Sequence, residues 1–100
     1  MYTAIRMYTT SDSTELTRRV QDEFVPMVRD VPGFMGYYLV DAGDGRVASI
    51  TVCDDREGVE ESTARASDWV RNRLSSLITS GPDVLMGDTT VSESTARAMS

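Results

Sequence analysis

The spacing of apolar residues changes along this chain, and the changes mark six elements. Met1-Tyr-Thr-Ala-Ile-Arg-Met-Tyr-Thr9 is rich in β-branched and aromatic residues and predicts a strand. Ser11-Asp-Ser13 breaks it, and Asp12 with Glu15 three residues later has the form of a capping box that starts a helix. Leu16, Val20, Phe24, Met27, Val28 and Val31 then recur at steps of three and four, the stripe of a helix packed on a core. Pro26 lies inside this stripe. Lacking an N–H and crowding the preceding turn, it should bend the last turns or end the regular helix early. Pro32-Gly33 closes the helix, and Phe34 to Val40 reads as a second strand. Asp41-Ala-Gly-Asp-Gly45 is a hairpin turn, since its glycines supply positive φ angles. Arg46 to Cys53 is the third strand, with Ala48, Ile50 and Val52 on one face and Ser49, Thr51 and Cys53 on the other.

Asp54 and Asp55 put carboxylates where the next helix begins, at its unpaired N–H groups. Glu57, Glu60 and Glu61 load its early turns and Arg71 and Arg73 its end, the order the helix dipole favours. Val59, Ala66, Trp69, Val70, Leu74, Leu77 and Ile78 form its buried stripe, which Gly81-Pro82 should stop. Asp83 to Val91 is the fourth strand. The folded domain is thus expected over residues 1–92, with a polar tail over 93–100. Glu61-Ser-Thr-Ala-Arg-Ala66 recurs letter for letter at 93–98, but the flanks differ and no repeat architecture is implied.

Strand, helix, strand, strand, helix, strand predicts a ferredoxin-like βαββαβ α+β fold, a four-stranded antiparallel sheet with both helices on one face. Alternation groups Tyr2, Ala4, Arg6 and Tyr8 with Ser49, Thr51 and Cys53. This set carries one charge and is assigned to the side away from the helices. A face so poor in charge suits a second sheet, which predicts a homodimer through the sheet face.

Composition narrows the chemistry. The 100 residues carry a net charge of −6, which argues against nucleic acid and anionic membrane surfaces as partners. The apolar runs are too short to span a bilayer, and the alternation that begins at Met1 leaves no signal peptide expected. All ten basic residues are arginine, as a GC-rich bacterial genome would favour, so no lysine can form a Schiff base. There is no histidine, which removes Ser-His-Asp catalysis, histidine-held zinc or haem and the commonest general base. No metal and no cofactor are therefore expected. The single Cys53 cannot form an internal disulfide and points to a reducing cytoplasm.

The run Val31-Pro-Gly-Phe-Met-Gly-Tyr37 follows an amphipathic helix and precedes a hairpin, a third strand ending in acidic residues and a second amphipathic helix. This arrangement, over roughly residues 1 to 92, resembles the antibiotic biosynthesis monooxygenase family of the dimeric α+β barrel superfamily. The resemblance implies two subunits sharing a barrel, with a small-molecule pocket in each between sheet and helices. Haem-degrading relatives carry an asparagine on strand one, a tryptophan on helix two and an axial histidine. Strand one here has no asparagine, the tryptophan position falls near Ser62, and the axial position falls near Asn72. Many relatives also end strand three with a tryptophan, where this chain has Cys53-Asp54-Asp55. Haem degradation is not expected. Cofactor-free relatives let an electron-rich phenolic anion react with oxygen, which requires groups that desolvate the substrate and stabilise a phenolate.

The residues able to do so are Arg6, Tyr37, Tyr38, Trp69, Asn72 and Arg73. Trp69 would wall an aromatic ligand, with Asn72 or Arg73 holding a substrate oxygen; aromatic residues at such helical spacing usually pack in the core, here with Ala66, Val70 and Leu74. Arg6 would serve the site or pair with a partner carboxylate across the dimer. Tyr37 and Tyr38 are adjacent on a strand, so one lines any given pocket. Asp54 and Asp55 read as helix caps and Cys53 as a small buried hydrophobe. Two functions fit these residues: a cofactor-independent monooxygenase of an aromatic or polyketide-like metabolite, or a dimeric ligand-binding or accessory protein without oxygenase chemistry.

Overall fold

The computed structural model describes residues 1–94, so most of the expected tail and the second hexapeptide copy lie outside the described residues. Strand β1 (Tyr2–Thr10) runs into helix α1 (Ser13–Arg19), whose first turn is capped as the sequence requires: Asp12 Oδ1 accepts from the Glu15 N–H at 3.1 Å. Ahead of Pro26 the helix widens into a π turn (Val20–Phe24), in which the Val25 N–H reaches back to the Val20 carbonyl. It then closes as a single turn, α2 (Val25–Val28), with Pro26 in its first turn. Regular α-helix thus stops early, at Arg19, and resumes around Pro26 only for this one turn. The widened turn absorbs its bulk, and Arg65 Nη1 donates to the Met27 carbonyl at 2.8 Å.

Gly33 turns the chain at φ +75°, and the Asp54 N–H donates to its carbonyl at 2.8 Å. β2 (Phe34–Gly43) and β3 (Arg46–Cys53) are joined by Asp44 and Gly45, both at positive φ, the two-residue turn whose twist matches a hairpin. Asp55 Oδ1 caps α3 (Arg56–Arg73) by accepting from the Gly58 N–H at 3.2 Å. That helix ends earlier than its apolar stripe predicts. Leu74 and Leu77 are buried in a turn beyond it, and β4 (Ile78–Asp88) begins before Gly81-Pro82 rather than after. Pairing with β1 decides the matter: Ile78 lies opposite Thr10, Ser80 opposite Thr9, and the Ser11 N–H donates to the Leu77 carbonyl at 3.0 Å. The Gly81-Pro82 bond is accommodated at a register shift within the strand, between Met7 and Thr9 of its neighbour.

The sheet order is β2-β3-β1-β4, all antiparallel, which is the ferredoxin-like α+β fold. The assignment of faces reverses the expectation. Ala4, Arg6 and Tyr8, with Ser49, Thr51 and Cys53, are buried beneath the helices rather than turned away from them. The side away from the helices carries Ile5, Met7, Tyr38, Val40, Ile50 and Leu85. Alternation partitions a strand into two sets of residues but does not say which set faces inward. Here the inward set holds hydroxyls because it surrounds a buried arginine, and the more apolar set is left outside.

α3 is held close to β3 at Gly58, where an added Cβ would meet the Pro32 carbonyl oxygen at 2.6 Å and Cys53 Cβ at 2.7 Å. Gly58→Ala should therefore destabilise the fold by about 1–3 kcal/mol despite alanine's better helix propensity. A urea titration checks this. An unchanged midpoint would mean that the helix does not approach the strand so closely.

Candidate functional site

Arg6 projects from the middle of β1 into the layer between sheet and helices and is fully buried. Nη2 donates to Ser49 Oγ at 3.1 Å and Thr51 Oγ1 at 2.8 Å, both on β3. Nη1 donates to Ser62 Oγ at 3.3 Å and Thr63 Oγ1 at 3.0 Å, both on α3. Ser62 Oγ in turn donates to the Val59 carbonyl at 2.9 Å. The Phe24 ring lies 5.9 Å from the guanidinium carbon. Nε has no hydrogen-bond partner, and among the described residues no carboxylate stands within ion-pair distance. The partner carboxylate considered for Arg6 across a dimer is excluded by its position on the inner face. Four neutral hydroxyls solvate the charge without cancelling it. Burial accordingly pushes the Arg6 pKa down, opposed by Tyr8, Tyr37 and Cys53.

Beside this cluster lies a narrow apolar cavity walled by Phe24, Trp69, Tyr8 and Leu74 and reached by Tyr37 and Ser49. Its free space is about 20 Å³, room for about one water molecule. The aromatic wall is stacked: Phe24 lies 5.3 Å from Tyr37 and 5.4 Å from Trp69, ring centre to ring centre. Across Val20, Tyr37 and Leu39 the cavity borders a solvent-open groove of about 490 Å³ between the first helix and the β2 edge, flanked by Gln21, Arg29 and Tyr38. Tyr37 Oη lies 2.7 Å from Ser49 Oγ, so a chain of hydrogen bonds runs from Arg6 through Ser49 to Tyr37 at the boundary between groove and cavity. Burial raises the Tyr37 pKa, while the Ser49 contact and the Arg6 charge oppose the rise. Tyr8 is likewise raised by burial against the pull of Arg6.

Of the residues singled out from the sequence, Trp69, Tyr37 and Arg6 converge here. Tyr38 lies outside the cavity, its ring exposed at the edge of the groove and on the far side of the sheet. Asn72 and Arg73 are exposed and line no part of the cavity, because α3 turns them to solvent. Arg73 meets the site indirectly: Glu23 Oε1 accepts from Trp69 Nε1 at 3.1 Å and lies 3.5 Å from Arg73 Nη2. Tyr8, Phe24, Ser49, Thr51, Ser62 and Thr63 were not singled out, although Ser49 and Thr51 alternate on the strand that pairs with Arg6. Asp55 caps α3 as expected, whereas Asp54, read as a cap as well, makes no side-chain cap bond and instead donates its N–H to the Gly33 carbonyl. Cys53 is buried, and burial with Asp55 and Asp54 nearby pushes its thiol pKa up, as befits an inert side chain. Among the described residues no group of three His, Cys, Asp or Glu side chains gathers at metal-binding distance.

No family model matches the chain, and no curated protein does. Solved structures share its architecture. A protein of unknown function from Nitrosomonas europaea superposes with a TM-score of 0.74 at 12% identity, over 96% of this chain and 95% of that one. A monooxygenase from the gene ActVA-Orf6 of Streptomyces coelicolor, in complex with nanaomycin D, gives 0.72 at 17% identity, over 95% and 92%. SnoaB, a cofactor-independent oxygenase from Streptomyces nogalater, gives 0.69 at 16% identity, over 91% and 94%. Structures described as antibiotic biosynthesis monooxygenases stand among the neighbours as well. The chain has the antibiotic biosynthesis monooxygenase fold. At these identities the likeness carries the architecture and not an activity.

A buried cation without a counter-ion opposes folding, since desolvating it costs on the order of several kcal/mol. Arg6→Met should leave stability unchanged or raise it. Phe24→Ala, a truncation in the same layer, should lower stability by about 3–5 kcal/mol. Thermal and urea unfolding of both variants compare the two. A loss of more than about 2 kcal/mol in Arg6→Met would make the arginine a structural element.

Proposed function

We propose that the chain is an antibiotic biosynthesis monooxygenase-like small-molecule protein acting as a cofactor-independent oxygenase of an aromatic or polyketide-like metabolite. The observation that carries this reading is the uncancelled charge of Arg6 beneath an aromatic cavity. A fully buried charge that no carboxylate among the described residues cancels is best explained by an anionic ligand. In such chemistry the electron-rich ring of the substrate reduces oxygen itself. The protein's tasks are to exclude water, stack the ring and stabilise negative charge on a ring oxygen, for which Trp69, Phe24, Tyr37 and Arg6 are suited. The two neighbours described as oxygenases lend the reading support by shared architecture. Trp69 is the ring wall in this assignment, and Asn72 and Arg73, lying outside, have no substrate role.

The small free volume of the cavity favours a second reading, a ligand-binding or accessory protein without oxygenase chemistry. A panel of hydroxylated naphthalenes and anthraquinones distinguishes the two. A ligand at a hundred times its dissociation constant adds about 2.7 kcal/mol, a melting shift of roughly 10 °C or more for a domain of this size. Oxygen uptake with a ligand that stabilises supports the oxygenase. Stabilisation without uptake supports the accessory protein, and no stabilisation by any member defeats both.

Either protein works as a homodimer in this reading, through the sheet face that bears Ile5, Met7, Tyr38, Val40, Ile50 and Leu85. Met7, Tyr38, Val40 and Leu85 are between 46% and 65% exposed, an apolar patch that a soluble monomer rarely presents. Burial against a two-fold mate would remove about 1,200–2,000 Å² in total. We place the protein in the cytoplasm on its single buried cysteine; no helix among the described residues is long and apolar enough to cross a membrane. The expected species by sedimentation at micromolar concentration is a dimer whose unfolding midpoint rises with concentration. Ile50→Glu should dissociate it. A wild-type monomer would refute the arrangement.

A further inference from the structure

The Arg6 charge has a directed path to the cavity. Each hydroxyl has one proton to give. Ser49 Oγ already accepts from Arg6 Nη2, so its proton is free for Tyr37 Oη, 2.7 Å away. With Ser49 as donor, the Tyr37 proton is free to point into the space it lines. Hydrogen bonds in such a series polarise one another, and a cation at the head makes the terminal O–H a stronger donor toward an anion than toward a neutral oxygen. We propose that Tyr37 is the specificity-determining donor of the site, charged by Arg6 through Ser49, and that the relay selects ligands bearing an ionised oxygen over their neutral isosteres. This rests on the reading that the groove and cavity bind an aromatic molecule, and it adds which atoms recognise that molecule and in which charge state.

The surroundings leave the charge to a ligand. From β1, β2 and β3 the titratable groups facing Arg6 are Tyr8, Tyr37 and Cys53, all held neutral by burial near physiological pH. From α3 it meets only the hydroxyls of Ser62 and Thr63, and from the π turn the ring of Phe24. The carboxylate nearest the cavity is that of Glu23, which is bonded to Trp69 Nε1 and faces Arg73. Arg6 is thus the one uncancelled charge in this layer among the described residues. Its influence at the Tyr37 hydroxyl is strengthened by the low dielectric around it. Arg6 and Ser49 act through Tyr37 and are positioning residues; Tyr37 alone of the three would touch the ligand oxygen.

The test uses two probes of the same shape, 7-hydroxycoumarin, whose neutral and ionised forms absorb at different wavelengths, and 7-methoxycoumarin, which cannot ionise. The full chain is titrated with each across a pH series. With the wild type, the ionisation midpoint of bound 7-hydroxycoumarin should fall by at least about one pH unit, equivalent to roughly tenfold tighter binding of the anion. In Tyr37→Phe and in Arg6→Met the midpoint should rise above that of the free probe, since burial alone disfavours the anion. Ser49→Ala should give an intermediate value. Affinity for 7-methoxycoumarin should fall less in each variant than affinity for the 7-hydroxycoumarin anion, a charge-dependent split that a merely structural role for these residues would not produce. If both probes bind and the wild-type midpoint is unmoved or raised, the relay is refuted while the binding reading stands. If Tyr37→Phe lowers the midpoint as far as the wild type does, Arg6 reaches the ligand without Tyr37 and the proposal fails. If neither probe binds, the binding reading fails and takes the relay with it.

Discussion

One buried positive charge organises the interior of this small domain. Arg6 sits at the centre of the sheet, under both helical segments, and everything around it answers to the need to solvate a guanidinium away from water. β3 supplies Ser49 and Thr51 where a ferredoxin-like strand would ordinarily present aliphatic side chains, and α3 supplies Ser62 and Thr63 on its buried side. Phe24 covers the cation with the face of its ring. The apolar core is displaced to either side of this cluster. The cavity lies beside the cluster, enclosed by aromatic and aliphatic side chains, and of the four hydroxyls around Arg6 only that of Ser49 reaches it.

The same constraint explains what could be read from the residues and what could not. Order and kind of the elements were legible because caps, glycines and periodicity agree locally: Asp12, Asp55 and Asp44-Gly45 each do what their chemistry predicts. The end of α3 was not legible. Leu74, Leu77 and Ile78 keep helical spacing, and only pairing with Thr9 and Thr10, far away in sequence, draws Ile78 into a strand. The facing of the sheet was misread for a related reason. A rule that turns the more apolar set inward fails when the inward set has a charge to satisfy, and no local feature of Ser49-Ile-Thr51 reveals that Arg6 lies across from it.

The candidate site was legible in part. Trp69, Tyr37 and Arg6 were identified by residue type alone, and the fold brings them within one layer. Asn72 and Arg73 were attractive because three and four residues after Trp69 they lie on its side of the helix, but they fall in the exposed last turn of α3, where the Arg73 side chain reaches Glu23 rather than the cavity. The hydroxyl cage was missed because serine and threonine are unremarkable one at a time. Their meaning comes from two strands and a helix converging on one side chain. The first copy of the repeated hexapeptide contributes two of the four hydroxyls, Ser62 and Thr63, and a piece of cavity wall, Ala66.

The π turn ahead of Pro26 bears on how this architecture could be altered over evolutionary time. In hydrogen-bonding terms, a π turn is an α-helix carrying one residue more than its register needs. Removing any one residue between Val20 and Phe24 would restore regular winding and rotate the turns on its N-terminal side by about 100° relative to those on its C-terminal side. Leu16, buried on the N-terminal side of the turn, and Phe24, which covers Arg6 on the other, could not then both face the sheet. The helix is thus locked in length to the contents of the cavity beneath it. A conservative substitution in this roof disturbs one contact at a time, while a single-residue deletion within it displaces a whole face of the helix.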